Sequence, residues 1–506
     1  MTANWKALQR IVVAVMVALL TMTSPVLGPM PIAHAIKPPV VPGDPTPPPD
    51  PDVNPPAMRL DNRGCVAPGI IPDPPIADAP PASVMMNLAE AHKFSTGAGV
   101  KVAVIDTGVT PSPRFAHLTP GADWVEKSAQ GLADCDSHGT LIASIIGASP
   151  APGDQFVGVA YDAEIISYRQ SSTRYTEEQP QFRSADPAAD ARANHIGTLA
   201  AAIVKAANQG ARVINISVIA CIPANQPIDQ TALGLAVRYA TVAKGALIVA
   251  AAGNVGGGPS AAGEAEGCQQ NPLYDPGFPN DPRNWDHVTT VSSPGWFSDY
   301  VLPVGAVDRK GAPQDREGVT APEDQGAPQD PIAAQFSMRG PWVDLAAPGT
   351  NIIALGPDGS TVNALPSRTN VLGPIEGTSF SAAWVSGVAA LVFSMHPDWT
   401  PAQVRRRLTA TAHGPARGIA NNGGGLDNAV GHGLIDPVAA LTSPVPPGEA
   451  QTAEPHRVPI TLDPEPAPRN HVPQIAAGAI GVGVIALLLV GAGARRRESV
   501  DSDANG

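Results

Sequence analysis

Four short stretches hold residues whose types suit nucleophilic chemistry: VAVIDTGV with Asp106, DSHGTLIASIIG with His138, AAAGN with Asn254, and GTSFSAAWVSG with Ser379. A serine hydroxyl is a poor nucleophile until a base takes its proton, and imidazole is the side chain whose ordinary pKa suits that exchange near neutrality. A carboxylate beside the imidazole fixes its tautomer and stabilises the imidazolium. Asp106, His138 and Ser379 supply those three groups, and Asn254 supplies an amide that can donate to a developing oxyanion. Singly, each has a plain structural reading: a strand-end turn for Asp106, helix caps for His138 and Ser379, a left-handed turn for Asn254. Together, each at a strand end or a helix start, they point to catalysis.

The elements that must position them are legible in the apolar pattern. VKVAVI (100–105), AEIISY (163–168), ARVINIS (211–217) and ALIVAAA (246–252) predict buried parallel strands, with helices between them at 196–210 and 231–245. That rhythm implies an α/β sheet with helices on both faces. In such sheets reactive groups collect at the carboxyl ends of strands and at adjoining helix N-termini, so the four stretches can meet. Ser379 precedes an apolar run at helical spacing, which places its hydroxyl where unpaired N–H groups and the positive helix end favour negative charge. Thr400-Pro401-Ala402-Gln403 predicts a further helix start by its capping-box pattern. Residues 169–194 and 308–335 lack periodicity and are expected to be surface loops; the GAPQD repeat (311–315 and 326–330) is too isolated to signal a repeat fold.

The ends of the chain are different in kind. Residues 1–35 carry Lys6 and Arg10, then IVVAVMVALL and the small-x-small site Ala33-His34-Ala35, the pattern of a signal peptide. Residues 36–83 form a proline-rich N-terminal extension, expected to be extended and without a core, and 84–442 is the globular domain. A proline-rich linker, 443–473, leads to IAAGAIGVGVIALLLVGAGA (475–494). That segment has no charged residue and, at about 1.5 Å rise per residue, can cross a hydrocarbon core of roughly 30 Å. Arg495, Arg496 and Arg497 follow, which predicts a single-pass protein of the cell membrane with a cytoplasmic tail (495–506) and its globular domain outside. The net charge is −13 and the only basic cluster is those arginines, which excludes nucleic acid as an expected partner. Cys65, Cys135, Cys221 and Cys268 form no C-x-x-C pair and fit two disulfides better than a metal site. No Asp/Asn-rich loop of the EF-hand type occurs, and neither metal nor cofactor is expected.

With the order Asp, His, Ser along the chain, roughly residues 95–442 resemble the subtilisin-like serine proteases, and the strand VINIS and the segment VDLAAPG (343–349) extend the match. The resemblance implies a doubly wound, mainly parallel sheet, peptide hydrolysis through an acyl-enzyme, Asn254 as oxyanion donor, and Ser217, Val218 and Ile219 as substrate-binding residues. With the signal peptide, cysteines, linker and membrane helix, the whole chain resembles the mycosins, membrane-anchored subtilases of type VII (ESX) secretion systems. That implies cleavage of exported proteins and association with the secretion membrane complex, the alternative being a mainly structural part in that complex. A lipase or esterase would need a G-x-S-x-G elbow and the order Ser, Asp, His, and neither is present.

Three departures from the family pattern matter. Leu141 and Ala383 stand where many subtilases have histidine and proline, and are read as packing changes. Val218 and Ile219 follow VINIS where an apolar residue and glycine are common, which predicts a narrow pocket for small P1 residues such as alanine. Residues 36–83 are too short and proline-dense for a folded propeptide. For the cysteines the expected pairing is Cys65–Cys135 and Cys221–Cys268; the alternatives are Cys65–Cys221 with Cys135–Cys268, and Cys65–Cys268 with Cys135–Cys221.

Overall fold

Apolar runs too continuous for a one-sided strand need cover on both faces, and the chain provides it. In order it forms β1 (Met58–Leu60), β2 (Lys101–Asp106), β3 (Leu118–Asp123), α1 (His138–Gly147), β4 (Glu164–Arg169), β5 (Tyr175–Glu177), α2 (Pro187–Asn208), β6 (Val213–Ile216) and β7 (Ala220–Pro223). Then come α3 (Thr231–Arg238), β8 (Leu247–Ala251), β9 (Thr290–Ser293), β10 (Val301–Asp308), β11 (Ile332–Ala333), β12 (Leu345–Pro348), α4 (Thr378–Met395) and α5 (Pro401–Ala410). The computed structural model describes residues 36–448 except 44–47, 180–185, 227, 257–267, 274–276, 278–280, 282, 309–331, 368 and 415–425. The expected signal peptide, most of the linker, the membrane helix, the cytoplasmic tail and the GAPQD repeats lie outside the described residues.

The main sheet is eight-stranded. Its parallel strands follow the order β3-β4-β2-β6-β8-β10-β12, and β11 pairs antiparallel with the end of β10. The chain leaves β2 toward β3 and β4 on one side and returns to β6 on the other. The carboxyl end of β2, where Asp106 sits, is therefore the crevice that such a reversal of strand order opens.

Helix α4 is buried from Thr378 to Phe393 and packs against β6, β8, β10, β12 and α1. Phe380, Val385, Val388, Leu391 and Val392 are fully inaccessible, and burying each such side chain contributes about 1.5–3 kcal/mol. Gly387 lets the helix approach the segment after α1: a Cβ there would lie 2.4 Å from Val159 Cβ. Leu141 and Ala383 are both fully buried, as packing positions would be. Among the described residues α4 alone has the length and apolarity of a membrane span, but 89% of it is inside the fold, so its apolarity serves the core.

Two expectations need correction. The stretch 169–194 is not all loop: it holds β5, and α2 begins at Pro187 with Asp186 accepting from the N–H groups of Ala188 and Ala189. Its first turns are largely exposed, so the start shows as a cap and a proline rather than as apolar spacing. The extension, expected to lack a core, instead lies against one. Ile36, Val41, Val53 and Val66 pack on the main apolar cluster, β1 pairs antiparallel with β5, and Gly69 bridges to Ala364. Widely spaced anchors between prolines, plus backbone bonds, hold it there. Thr400 caps α5 as expected, its hydroxyl accepting from Gln403 N at 3.3 Å.

Candidate active site

Asp106 ends β2 fully buried, and one of its carboxylate oxygens lies 2.7 Å from His138 Nδ1. The same oxygen accepts the N–H of Thr107 at 2.7 Å, so backbone and imidazole both address one acceptor. His138 is the first residue of α1, and Gly139 behind it allows the contact: a Cβ there would sit 2.1 Å from Gly108 O and 3.1 Å from Asp106 Cβ. Thr107 also accepts Gly139 N at 2.9 Å, tying the strand end to the helix start.

A second carboxylate stands behind the first. Asp134 accepts from Thr140 N at 2.8 Å, from the Thr140 hydroxyl at 2.7 Å and from the Thr107 hydroxyl at 2.9 Å. Part of the residue reaches solvent, but its carboxylate is enclosed, and burial pushes its pKa up to about 7 against those donors. Burial works against a charged His138, yet the carboxylates of Asp106, Asp134 and Asp136 outweigh it and raise the imidazole above its ordinary value.

Ser379 lies in the first turn of α4 and is 4% exposed. Phe380 beside it meets the His138 ring at 5.6 Å between centroids, which brings the two helix starts together. The Ser379 hydroxyl donates to Ser217 O at 3.3 Å, while His138 Nε2 has no hydrogen-bond partner among the described residues. Asn254 is joined to the same turn: its Oδ1 accepts Thr378 N at 3.0 Å and the Thr378 hydroxyl at 3.1 Å. Those donors fix the amide so that its NH₂ is the donor end, on the side away from Thr378.

Ser217, Val218 and Ile219 run from the end of β6 toward β7, and all three are buried. Ser217 donates its hydroxyl to Ser379 O at 3.3 Å and accepts from Asn215 Nδ2 at 2.9 Å, while Ser386 donates to Asn215 Oδ1 at 2.9 Å. This polar chain locks α4 to β6 behind the site. Both expected disulfides form, Cys65–Cys135 and Cys221–Cys268. A cavity of about 490 Å³ lies elsewhere, walled by Asp50, Asp52, Asp123, Lys127, Lys205 and Asn208 among others, and shares no lining residue with this site.

Comparison with known proteins agrees with this geometry. The model of the subtilase family, Peptidase_S8, matches residues 97–433. Mycosin-1 of Mycobacterium tuberculosis is 45% identical over 483 residues, spanning 94% of this chain and 98% of that one. The chain belongs to the mycosin branch of the subtilase family. It is thus a serine endopeptidase with the subtilisin-like fold. The crystal structure of MycP1 from Mycobacterium smegmatis, 44% identical, superposes with a TM-score of 0.72 over 84% of this chain and 99% of that chain. A structure of an intact ESX-5 inner membrane complex includes a chain 44% identical to this one, with a TM-score of 0.70, covering 90% of this chain and 98% of that chain.

Sequence reading missed Asp134, Thr107, Thr378 and Asn215 as parts of this subtilase site. Asp134 left one trace: it lies four residues before His138 in a stretch with Asp136 and Ser137, the composition of a helix start. The others act through contacts distant in the chain and carry no local signal.

Proposed function

We propose that Asp106, His138 and Ser379 form the catalytic triad of this endopeptidase and that Asn254 donates to the oxyanion. The 2.7 Å contact between Asp106 and His138, with the Ser379 helix start beside the imidazole, is the observation that carries the reading. His138 takes the Ser379 proton as the hydroxyl attacks the peptide carbonyl. Asp106 holds the imidazole by Nδ1, leaving Nε2 to face the serine. The tetrahedral oxyanion then meets the Asn254 amide and the N-terminal end of α4. Labelling the purified protein with a fluorophosphonate probe tests this: wild type should label, Ser379→Ala should not, and full peptide hydrolysis by Ser379→Ala would overturn it.

The substrates on this reading are extended segments of exported proteins with a small P1 residue, because Val218 and Ile219 fill the space a glycine would leave. The expected signal peptide and the apolar segment 475–494 support a place in the cell membrane with the protease domain outside. Association with a type VII secretion membrane complex is favoured by the similar chain within the ESX-5 complex. That similarity also favours a second role, stabilising the complex itself. Complementing deletion cells with Ser379→Ala separates the two: secretion restored by the inactive protein, with normal complex mass, supports the structural role, and secretion as poor as the deletion removes it.

A further inference from the structure

The chain enters the Ser379 turn from a hairpin. Its strands, β13 (Ala364–Pro366) and β14 (Leu372–Pro374), pair antiparallel, and Ser379 follows Pro374 by five residues. The two edges of the hairpin differ. The edge of β13 is occupied: Gly69 N donates to Ala364 O at 2.9 Å, Ala364 N donates back to Gly69 O at 3.1 Å, and Asn363 Nδ2 donates to Ile71 O at 2.7 Å. The edge of β14 is open. Ser367 N donates to Val371 O at 2.8 Å and Ile375 N to Asn363 O at 3.1 Å, so by the alternation of a strand Leu372 and Pro374 turn their backbone groups away from β13. Among the described residues no other strand pairs with β14. Its tip is apolar as well as open, for Val371 is 66% exposed and Leu372 39%. Leu372 lies over Gly69, where a Cβ would be 2.7 Å from its Cδ1, and Ile70, the next residue, is 55% exposed. An open edge with apolar side chains is a template for another chain, and Pro374 blunts it only by the one N–H it lacks.

We propose that the open edge of β14 and its apolar tip are a second substrate-binding surface, which takes the segment on the leaving-group side of the scissile bond as an added strand. The proposal rests on Ser379 being the nucleophile. Continuity selects substrate as the occupant: β14 runs on into the turn that carries Ser379, and an extended chain leaving Ser379 along β14 runs antiparallel to it. The Leu372 and Pro374 carbonyls would accept its N–H groups, and the Leu372 N–H would donate to it. Val371 stands eight positions before Ser379, so at about 3.3 Å per residue roughly eight substrate residues reach the tip. The substrate this surface selects carries an extended apolar stretch within that distance after the cleavage point. Val371, Leu372 and Ile70 touch no reacting atom, so they act on affinity for long substrates.

The test uses the full chain and fluorogenic peptides with alanine before the scissile bond: a short one, one with about eight further residues rich in valine and leucine on the leaving-group side, and one with the same residues on the acyl side. Wild type should cleave the leaving-side peptide with kcat/KM about tenfold above the short one, through a lower KM, and the acyl-side peptide without that gain. In Val371→Ser/Leu372→Ser the ratio of leaving-side to short kcat/KM should fall from about ten to about one. Val371→Ser alone should lower it part of the way, and it decides the matter where the double variant does not fold. Val242→Ser is the comparison, an exposed valine after α3 whose loss should leave the ratio at its wild-type value. N-methylation at alternate residues of the leaving-side extension should abolish the gain in one phase and spare it in the other, as strand pairing requires. Equal effects in both phases, no gain from leaving-side residues, or a wild-type ratio in the double variant would each overturn the proposal. A wild-type ratio together with a smaller membrane complex would assign the tip to a partner protein instead. Failure of the underlying reading looks different, because then the wild-type protein cleaves none of the peptides and takes no fluorophosphonate label at Ser379.

Discussion

His138 opens α1 and Ser379 opens α4, but the two are held by different means. Ser379 stands on one helix whose first sixteen positions, Thr378 to Phe393, are buried, so its placement follows from the packing of a single element. His138 stands on a turn assembled from distant segments: Val66 and Cys65 from the extension, Ser172 and Thr173 after β4, and Thr107 after β2. One residue is positioned by burial and the other by ties. A buried helix tolerates the loss of a hydrogen bond, whereas a left-handed serine such as Ser137, with φ 63°, costs about 1–3 kcal/mol and stays in place only while its surroundings over-determine it.

Removing either principal group should have the largest effect and treat both sides alike. Ser379→Ala and His138→Ala should each lower peptide hydrolysis by about 10⁶-fold, the size known for subtilisin, with melting temperatures near wild type. Steady-state assay beside a thermal melt checks this. Asn254→Ala should lower turnover by about 10²–10³, again the size known for a subtilisin, with KM little changed. An equal rise in KM would show that Asn254 serves binding instead.

Gly139→Ala sharpens the comparison. Its new Cβ has no room between Gly108 O and Asp106 Cβ, so α1 must move off β2, at a cost of about 1–3 kcal/mol and with loss of the 2.7 Å contact. A calorimetric melt and kcat should fall together. Gly387→Ala on the serine side crowds Val159 instead, and there the melt should fall further in proportion to kcat.

The smallest effect concerns pH. Activity requires neutral His138, and the neighbouring carboxylates raise its pKa, so the acid limb of kcat/KM should lie above the range of an ordinary histidine. Asp134→Asn removes one of those charges while keeping an oxygen acceptor for Thr140. The limb should then move to lower pH. A limb that stays where it is would show that Asp134 serves only to hold the turn.

Legibility in the sequence follows the same division. VAVID, VINI and LIVAA were readable as buried parallel strands because burial on both faces leaves an unbroken apolar run, and Ser379 was readable from the helix it begins. Asp106 and Asn254 were placed by lying at the ends of such strands. The attachment of residues 58–66 was not legible: its bonds run largely through backbone atoms and across 110 residues or more, as between Arg63 and Thr173, and composition marked 36–83 only as proline-rich. The first turns of α2 escaped because they face solvent. Val218 and Ile219, expected from the resemblance to line the substrate pocket, are both buried.

The burial of α4 has a consequence for how the protein reaches activity. A helix apolar on nearly every side has no stable exposed state, and its neighbours β6, β8, β10, β12 and α1 are drawn from chain positions 138 to 348. Such contacts are distant in sequence and slow to form, so α4 can settle only once most of the sheet exists. The nucleophile is carried on its first turn. Proteolytic competence should therefore appear with the final closure of the core, leaving a half-folded chain without the means to cut itself or its neighbours.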